Sequence, residues 1–240
     1  MTLLSTIYYW LVFVLTAPLV LLFGTIVFVV TAPFDDQRRT IHAFICAVAF
    51  NYVRVNPFWR TKVAGRERIP EGPCVIVVNH QSMADVIAVM GIRAQFKFVS
   101  KASLFKLPIV GWMMKMAKYV AVERGRHSSM QKMMDECRAW LRAGMSVLIF
   151  PEGTYSPDGK LLPFKRGAFQ LAISERVPLV PVVMKGTRDL VIEDGPWMSP
   201  KAHVEIEVME PVPAGELGDD DSELTERVRA VMAKALGQAE

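Results

Sequence analysis

The chain of 240 residues has only three cysteines, Cys46, Cys74 and Cys137, widely separated and odd in number. No pair of them has the spacing of a metal knuckle or a redox couple, and each lies in apolar sequence. They read as small buried hydrophobes of a reducing compartment, which excludes a disulfide framework and a cysteine-ligated metal. There is no internal repeat and no low-complexity tract, so solenoid and linker-rich architectures are set aside. The basic residues are not interleaved with an aromatic platform of the kind that single-stranded nucleic acids require, which argues against nucleic acid as a partner.

The largest absence is of charge. Residues 3–34 contain no charged side chain, a length well beyond the ~20 residues that a helix needs to cross a bilayer. No basic segment precedes this run and no small-residue cleavage site follows it, which disfavours a secretory signal. Pro18 and Gly24 interrupt it, so it reads either as one tilted span or as a kinked helix that enters and leaves the same leaflet. Asp35-Asp36-Gln37-Arg38-Arg39 ends the run, and its two arginines favour the cytoplasmic side. Residues 40–53 are apolar again, broken by His42 and Asn51, and read as an interfacial helix folding back on the first. The alternative is a pair of helices buried in the protein core. The composition suits the membrane reading: 52% of residues are hydrophobic and the net charge is +4. With a pI near 9.0 the chain is suited to an anionic partner such as lipid head groups.

From residue 58 the texture changes to short apolar runs alternating with helical patterns. Strands are expected at 60–64, 74–78, 96–99, 119–122, 147–150, 179–183 and 204–208, and helices at 128–142, 167–174 and 223–236. Strands alternating with helices predict an α/β fold with a mostly parallel sheet covered by helices on both faces. The clean alternation of Val204-Glu205-Ile206-Glu207-Val208 predicts an edge strand with one wet face. The expected organisation is a membrane-anchoring helical hairpin over 1–57 and an α/β domain over 58–240.

The chemistry gathers at strand ends. Cys74-Val75-Ile76-Val77-Val78 runs into Asn79-His80, and Asp85 follows five residues after His80. Ser82 reads as a helix N-cap and Asp85 as the partner that closes a capping box before an apolar helix over 86–92. His80 then sits at a strand-to-helix turn, where open α/β folds bind ligands. An imidazole with a carboxylate one helical turn away suits a general base and its orienting partner. The plainer alternative is a histidine that ends a strand and an aspartate that caps a helix. No serine or cysteine nucleophile stands beside them, so the pair would activate a substrate hydroxyl. A second turn, Phe150-Pro151-Glu152-Gly153-Thr154-Tyr155-Ser156, offers backbone N–H groups to an oxyanion or phosphate. Among the cations, Lys101 and Arg124 follow strands and are best placed to reach an anion. The apolar stretch 104–116 reads as core, with a groove for an acyl chain as the second possibility.

Asn79-His80-Gln81-Ser82-Met83-Ala84-Asp85 resembles the His-x4-Asp motif of the glycerolipid acyltransferases. Val122-Glu123-Arg124 is similar to their second block, residues 150–156 to their Pro-Glu-Gly-Thr block, and residues 177–182 to their fourth. Four blocks in the family's order span about half of the chain, and the apolar N-terminus resembles the bacterial lysophosphatidic acid acyltransferase branch. The resemblance implies an enzyme of phospholipid biosynthesis at the cytoplasmic face of the cell inner membrane. His80 would be the base on the sn-2 hydroxyl of lysophosphatidic acid and Asp85 its orienting partner. The donor would be an acyl thioester of coenzyme A or acyl carrier protein, the product phosphatidic acid, with no metal or other cofactor. Arg124 and the Glu152-Gly153-Thr154 turn would hold the glycerol phosphate.

One position departs from the family pattern. Tyr155 stands where an arginine usually follows Glu-Gly-Thr, which leaves Arg124 with Lys101 or Lys165 to grip a phosphate. It equally admits another lysolipid acceptor, such as an amino-acid lysolipid. A lipid or thioester hydrolase would use the same His80 and Asp85 on water, and a non-enzymatic membrane scaffold would leave the four blocks without a role.

Overall fold

The computed structural model describes residues 1–123, 125–192 and 195–238. Two helices, α1 (Thr2–Thr31) and α2 (Arg39–Arg54), precede the first strand. The strands are β1 (Trp59–Ala64), β2 (Val75–Val78), β3 (Phe96–Lys101), β4 (Val120–Val122), β5 (Ser146–Ile149), β6 (Leu179–Lys185) and β9 (Ala202–Val208), with a small hairpin of β7 (Val191–Ile192) and β8 (Trp197–Met198). Between and after them lie α3 (Asp85–Ala88), α4 (Val110–Met116), α5 (His127–Arg142), α6 (Gly167–Glu175) and α7 (Asp221–Leu236).

Seven strands form one sheet in the order β1-β9-β6-β2-β5-β3-β4. All pairings are parallel except β6 with β9. The central strand β2 is buried along its whole length, between β5 and β6. A strand buried on both faces needs apolar residues on both, which is why Val75-Ile76-Val77-Val78 reads as a continuous run. Ile76 and Val78 face a core shared with α2, whereas Val75 and Val77 face one shared with Met133 and Cys137 of α5, Phe169 of α6 and Met232 of α7.

Two expectations need correction. Residues 204–208 are not at the edge of the sheet: β9 lies between β1 and β6, and β1 is the edge. The alternation reports one wet face, with Val204, Ile206 and Val208 buried and Glu207 exposed, and a strand with neighbours on both sides carries that pattern equally well. The helix expected after Asp85 is also shorter than the apolar pattern. One α-turn, α3, runs straight into a 3-10 turn over Val89–Ile92.

The N-terminal hairpin is built into the domain. Ile41, Cys46, Phe50 and Val53 of α2 are buried in the same core as β2 and β3. The boundary at 57/58 marks where α2 gives way to β1, and the core runs across it. Helix α1 continues through Pro18 and Gly24 without a break for 30 residues, about 45 Å. Gly24 is a close-packing position: a Cβ there would lie 2.7 Å from Met113 Cε of α4. Near its start α1 is fixed by Ser5 Oγ donating to the Ser199 carbonyl at 2.8 Å and by Trp10 Nε1 donating to the Pro196 carbonyl at 2.8 Å. In the turn between α1 and α2 the buried Lys97 ammonium donates to the Gln37 carbonyl at 2.6 Å, and also to the Ala117 carbonyl at 2.8 Å. The outer side of α1 leaves Leu4, Leu11, Val14, Leu15, Phe23 and Val30 exposed.

Candidate active site

The carboxyl ends of β2, β5 and β3 meet at one mouth of the sheet. Asn79, at the end of β2, donates through Nδ2 to the Met184 carbonyl at 2.9 Å and accepts the Met184 N–H at 2.7 Å. This extends the pairing of β2 with β6 by a side chain and fixes the point at which the chain turns away. The next residue, His80, is held by its backbone on both sides. Its N–H donates to Glu152 Oε1 at 2.7 Å, and its carbonyl accepts the N–H of Ser156 at 2.9 Å.

The imidazole is equally constrained. Nδ1 lies 2.8 Å from Asp85 Oδ2. An ionised carboxylate only accepts, so Nδ1 carries the proton and the lone pair of the neutral ring is on Nε2. The ring stacks on Phe150 with centroids 4.2 Å apart and meets the edge of Tyr155 at 5.8 Å. Asp85 is fully buried, and the same Oδ2 accepts the N–H groups of Gln81 at 2.5 Å and Ser82 at 2.8 Å. The cap and the orienting partner are therefore one group. Ser82 is not the helix N-cap expected of it: α3 begins at Asp85 with Ala84 at the N-cap position, and Ser82 Oγ accepts the N–H of Ala84 at 3.2 Å in the turn before the helix.

His80 lines a cavity of about 370 Å³. Its apolar wall is Val86, Phe98, Leu104, Met130, Met133 and Met134, and its polar side carries Lys101, Gly153, Tyr155 and Lys165. No carboxylate lines it among the described residues. Lys165 lies across the glycine turn: a Cβ on Gly153, where φ is +73°, would meet Lys165 Nζ at 2.7 Å. The backbone N–H of Lys165 donates to the Pro151 carbonyl at 2.9 Å, which closes the loop and brings the ammonium back over the turn. Gly167 and Ala168, which open α6, also line the cavity, so the positive end of that helix dipole adds to the two lysines.

The expected site residues separate into those that face the cavity and those that do not. His80, Lys101, Gly153 and Lys165 line it, with Asp85 directly behind His80. Glu152 was expected to hold substrate, and the structure gives it another role. It is buried, and its two oxygens accept the N–H groups of His80 and Leu162, so it holds the two turns together. Burial pushes its carboxyl above the usual range, opposed by those two N–H groups. Thr154 is exposed and does not line the cavity. Arg124 lies outside the described residues. Sequence reasoning missed Phe150 as the stacking partner and the methionines of α5 as cavity wall. The helical stripe of Met130, Met133 and Met134 was visible, but periodicity does not tell core from cavity wall.

With this geometry in place, the comparisons with known proteins are decisive. Residues 60–185 match the model of the acyltransferase family, described as "Acyltransferase". The chain belongs to that family. The match runs from β1 to the end of β6 and so includes every described residue around the cavity. The chain is 40% identical over 156 residues to the chloroplastic 1-acyl-sn-glycerol-3-phosphate acyltransferase BAT2 of Brassica napus, covering 64% of this chain and 45% of that protein. It is 34% identical over 165 residues to a 1-acyl-sn-glycerol-3-phosphate acyltransferase of Pseudomonas aeruginosa, covering 66% of this chain and 63% of the relative. The matched stretch thus spans about half of the plant relative. The crystal structure of the 1-acyl-sn-glycerophosphate (LPA) acyltransferase PlsC from Thermotoga maritima is similar over 99% of this chain and 95% of that one, with a TM-score of 0.83 and 26% identity. As an acyltransferase-family chain, it keeps the His-x4-Asp pair and has Tyr155 after Glu-Gly-Thr.

Proposed function

We propose that this chain transfers a fatty acyl group from an acyl thioester to the sn-2 hydroxyl of lysophosphatidic acid, forming phosphatidic acid. The observation that carries the reading is the His80–Asp85 contact at 2.8 Å, with the ring on the wall of a cavity that joins methionines to two ammonium groups. Nε2 of His80 takes the proton of the hydroxyl as its oxygen attacks the thioester carbonyl. The carbon–sulfur bond then breaks, and the imidazolium returns the proton to the thiolate of coenzyme A or acyl carrier protein. Asp85 keeps the proton on Nδ1 and stabilises the imidazolium. Lys101 and Lys165, with Arg124, hold the phosphate, and the apolar wall takes the acyl chain. The relatives named as 1-acyl-sn-glycerol-3-phosphate acyltransferases support the same acceptor. The protein needs no cofactor beyond its co-substrate.

Helix α1 is long and apolar enough to cross a membrane by length and composition. Its hydrogen bonds to the domain near its start, and the close packing of Gly24 against Met113 further along, favour a helix lying along one leaflet, with its exposed side in lipid. Arg38 and Arg39 favour the cytoplasmic face, and the bacterial relative fits the cell inner membrane. The decisive experiment is His80→Ala in purified protein with acyl thioester and lysophosphatidic acid. Thiol release should fall about 10²–10⁴-fold, the usual loss for a general base. An undiminished rate rejects the assignment, and free fatty acid without phosphatidic acid indicates a hydrolase.

Tyr155 favours a second reading of the acceptor alone. It sets an aromatic ring in a T-shaped contact with His80 where the family usually has a cation. Faster thiol release with an amino-acid lysolipid than with lysophosphatidic acid would select that reading.

A further inference from the structure

We infer that the segment from Lys106 to Lys115 is a second membrane-inserting element, which seats the mouth of the cavity on an anionic lipid surface. The apolar run that contains it divides sharply in the fold. Phe105, Met113 and Met114 are buried, whereas Leu107, Val110 and Trp112 are 46%, 42% and 49% exposed. Large apolar side chains exposed together call for a partner.

A strained turn produces this division. Ile109 has φ +63° and ψ −67°, and the N–H of Val110 reaches back to the Pro108 carbonyl at 2.6 Å. A β-branched residue adopts a positive φ only where its surroundings impose it. The turn puts Ile109, and one side of Val110, on the wall of an apolar cavity between α1, α2 and α4, and leaves Leu107 outside it.

Three observations identify the bilayer as the occupant. The segment is joined to α1, because its buried Met113 packs against Gly24, and α1 leaves Leu22, Phe23 and Ile26 exposed around that glycine. Exposed lysines flank it, Lys106 before and Lys115 after, as suits anionic head groups. A half-exposed tryptophan at such a boundary is the residue type that settles at the membrane interface. Lys101, Ser103 and Leu104, just before this segment, line the catalytic cavity, so an inserted segment opens that cavity toward lipid.

The inference rests on the reading of α1 as a bilayer-embedded helix, and the test separates the two. The native cysteines are all buried, so Trp112→Cys in the full chain takes a nitrobenzoxadiazole label selectively. Lys132→Cys on the exposed side of α5 serves as the control. With vesicles of phosphatidylcholine and phosphatidylglycerol, the label at 112 should shift to the blue and be quenched by spin-labelled lipid, while the label at 132 stays aqueous. Protein that sediments with the vesicles while the label at 112 remains aqueous overturns the inference and leaves α1 as the anchor. Protein that does not sediment overturns both readings. The second measurement uses the double variant Leu107→Ser, Trp112→Ser. Turnover of an acceptor embedded in vesicles should drop about tenfold, in line with the apolar area lost from the membrane, while turnover of a water-soluble short-chain acceptor is unchanged. An equal loss on both acceptors, or no loss on either, overturns the inference.

Discussion

Glu152 accepts the backbone N–H of His80 at 2.7 Å through one carboxylate oxygen, and the N–H of Leu162 at 3.0 Å through the other. The group is buried and touches the imidazole's backbone, so it acts on catalysis by placing His80 on the cavity wall. Glu152→Gln keeps the shape but turns an NH₂ toward one of the two donors. A buried donor left without an acceptor costs about 1–3 kcal/mol. A displaced catalytic ring costs about 10²-fold in kcat. The expected outcome is a lower kcat with little change in KM for the acceptor, measured beside the thermal midpoint. A rise in KM with kcat intact would return Glu152 to substrate binding.

Asp85 combines two tasks, and a conservative substitution separates them. Asp85→Asn retains an oxygen for the N–H groups of Gln81 and Ser82, so the turn should keep most of its stability. The same change weakens the hold on Nδ1–H and offers the imidazolium no counter-charge. By analogy with triad aspartates, thiol release should fall by up to about 10⁴-fold. Asp85→Ala should show the same kinetic loss and also a lower stability, because the N–H groups of Gln81 and Ser82 lose their acceptor, at about 1–3 kcal/mol for each donor left buried and unpaired. If the asparagine variant turns over like the native protein, Asp85 is a cap and nothing more.

Lys165 reaches over Gly153 beside Tyr155, where the family usually supplies an arginine. If its ammonium carries the phosphate contact, Lys165→Ala should raise KM for lysophosphatidic acid about 10- to 100-fold, the range expected for a hydrogen bond to a charged group. An uncharged lysolipid should be unaffected. Tyr155→Arg in the Lys165→Ala background should recover much of the loss, because the new guanidinium enters the same cavity. A KM increase shared by charged and uncharged acceptors would mean that Lys165 only shapes the loop.

What was legible in the sequence follows from how far apart the partners lie. His80 and Asp85 are five residues apart and share one turn, so local spacing was enough to pair them. The Val and Ile runs announced buried parallel strands because both faces of β2 and β6 must be apolar. Glu152 acts on a backbone N–H 72 residues away, and no local pattern encodes that contact. It looked like a substrate ligand because its turn resembles a phosphate-binding one. The neighbours of β9 were hidden for a related reason. Alternation reports which face is wet, whereas strand order depends on residues far along the chain. Trp112 was likewise read as core, since hydrophobicity alone does not reveal the positive φ at Ile109 that divides the segment.

His42 gives a prediction about acid stability, independent of catalysis. It is fully buried on α2, with Nδ1 accepting the Tyr119 hydroxyl at 2.7 Å and Nε2 donating to the Ala94 carbonyl at 2.9 Å. Burial pushes the ring from its ordinary value of 6.5 down to about 4, with the Ala94 carbonyl opposing and the charge of Lys97 adding to the drop. Above pH 6.5 the ring is neutral in both folded and unfolded chains, so the native state is at no disadvantage. As the pH falls from 6.5 toward 4, the unfolded chain takes up a proton that the folded one refuses, and stability is lost. Complete passage through that window removes about 3 kcal/mol. Urea unfolding in detergent between pH 7 and pH 4 should show this loss, and His42→Gln should flatten the profile by one proton's worth over the same window. An identical profile for native and His42→Gln protein would mean that the ring is not held neutral by the fold.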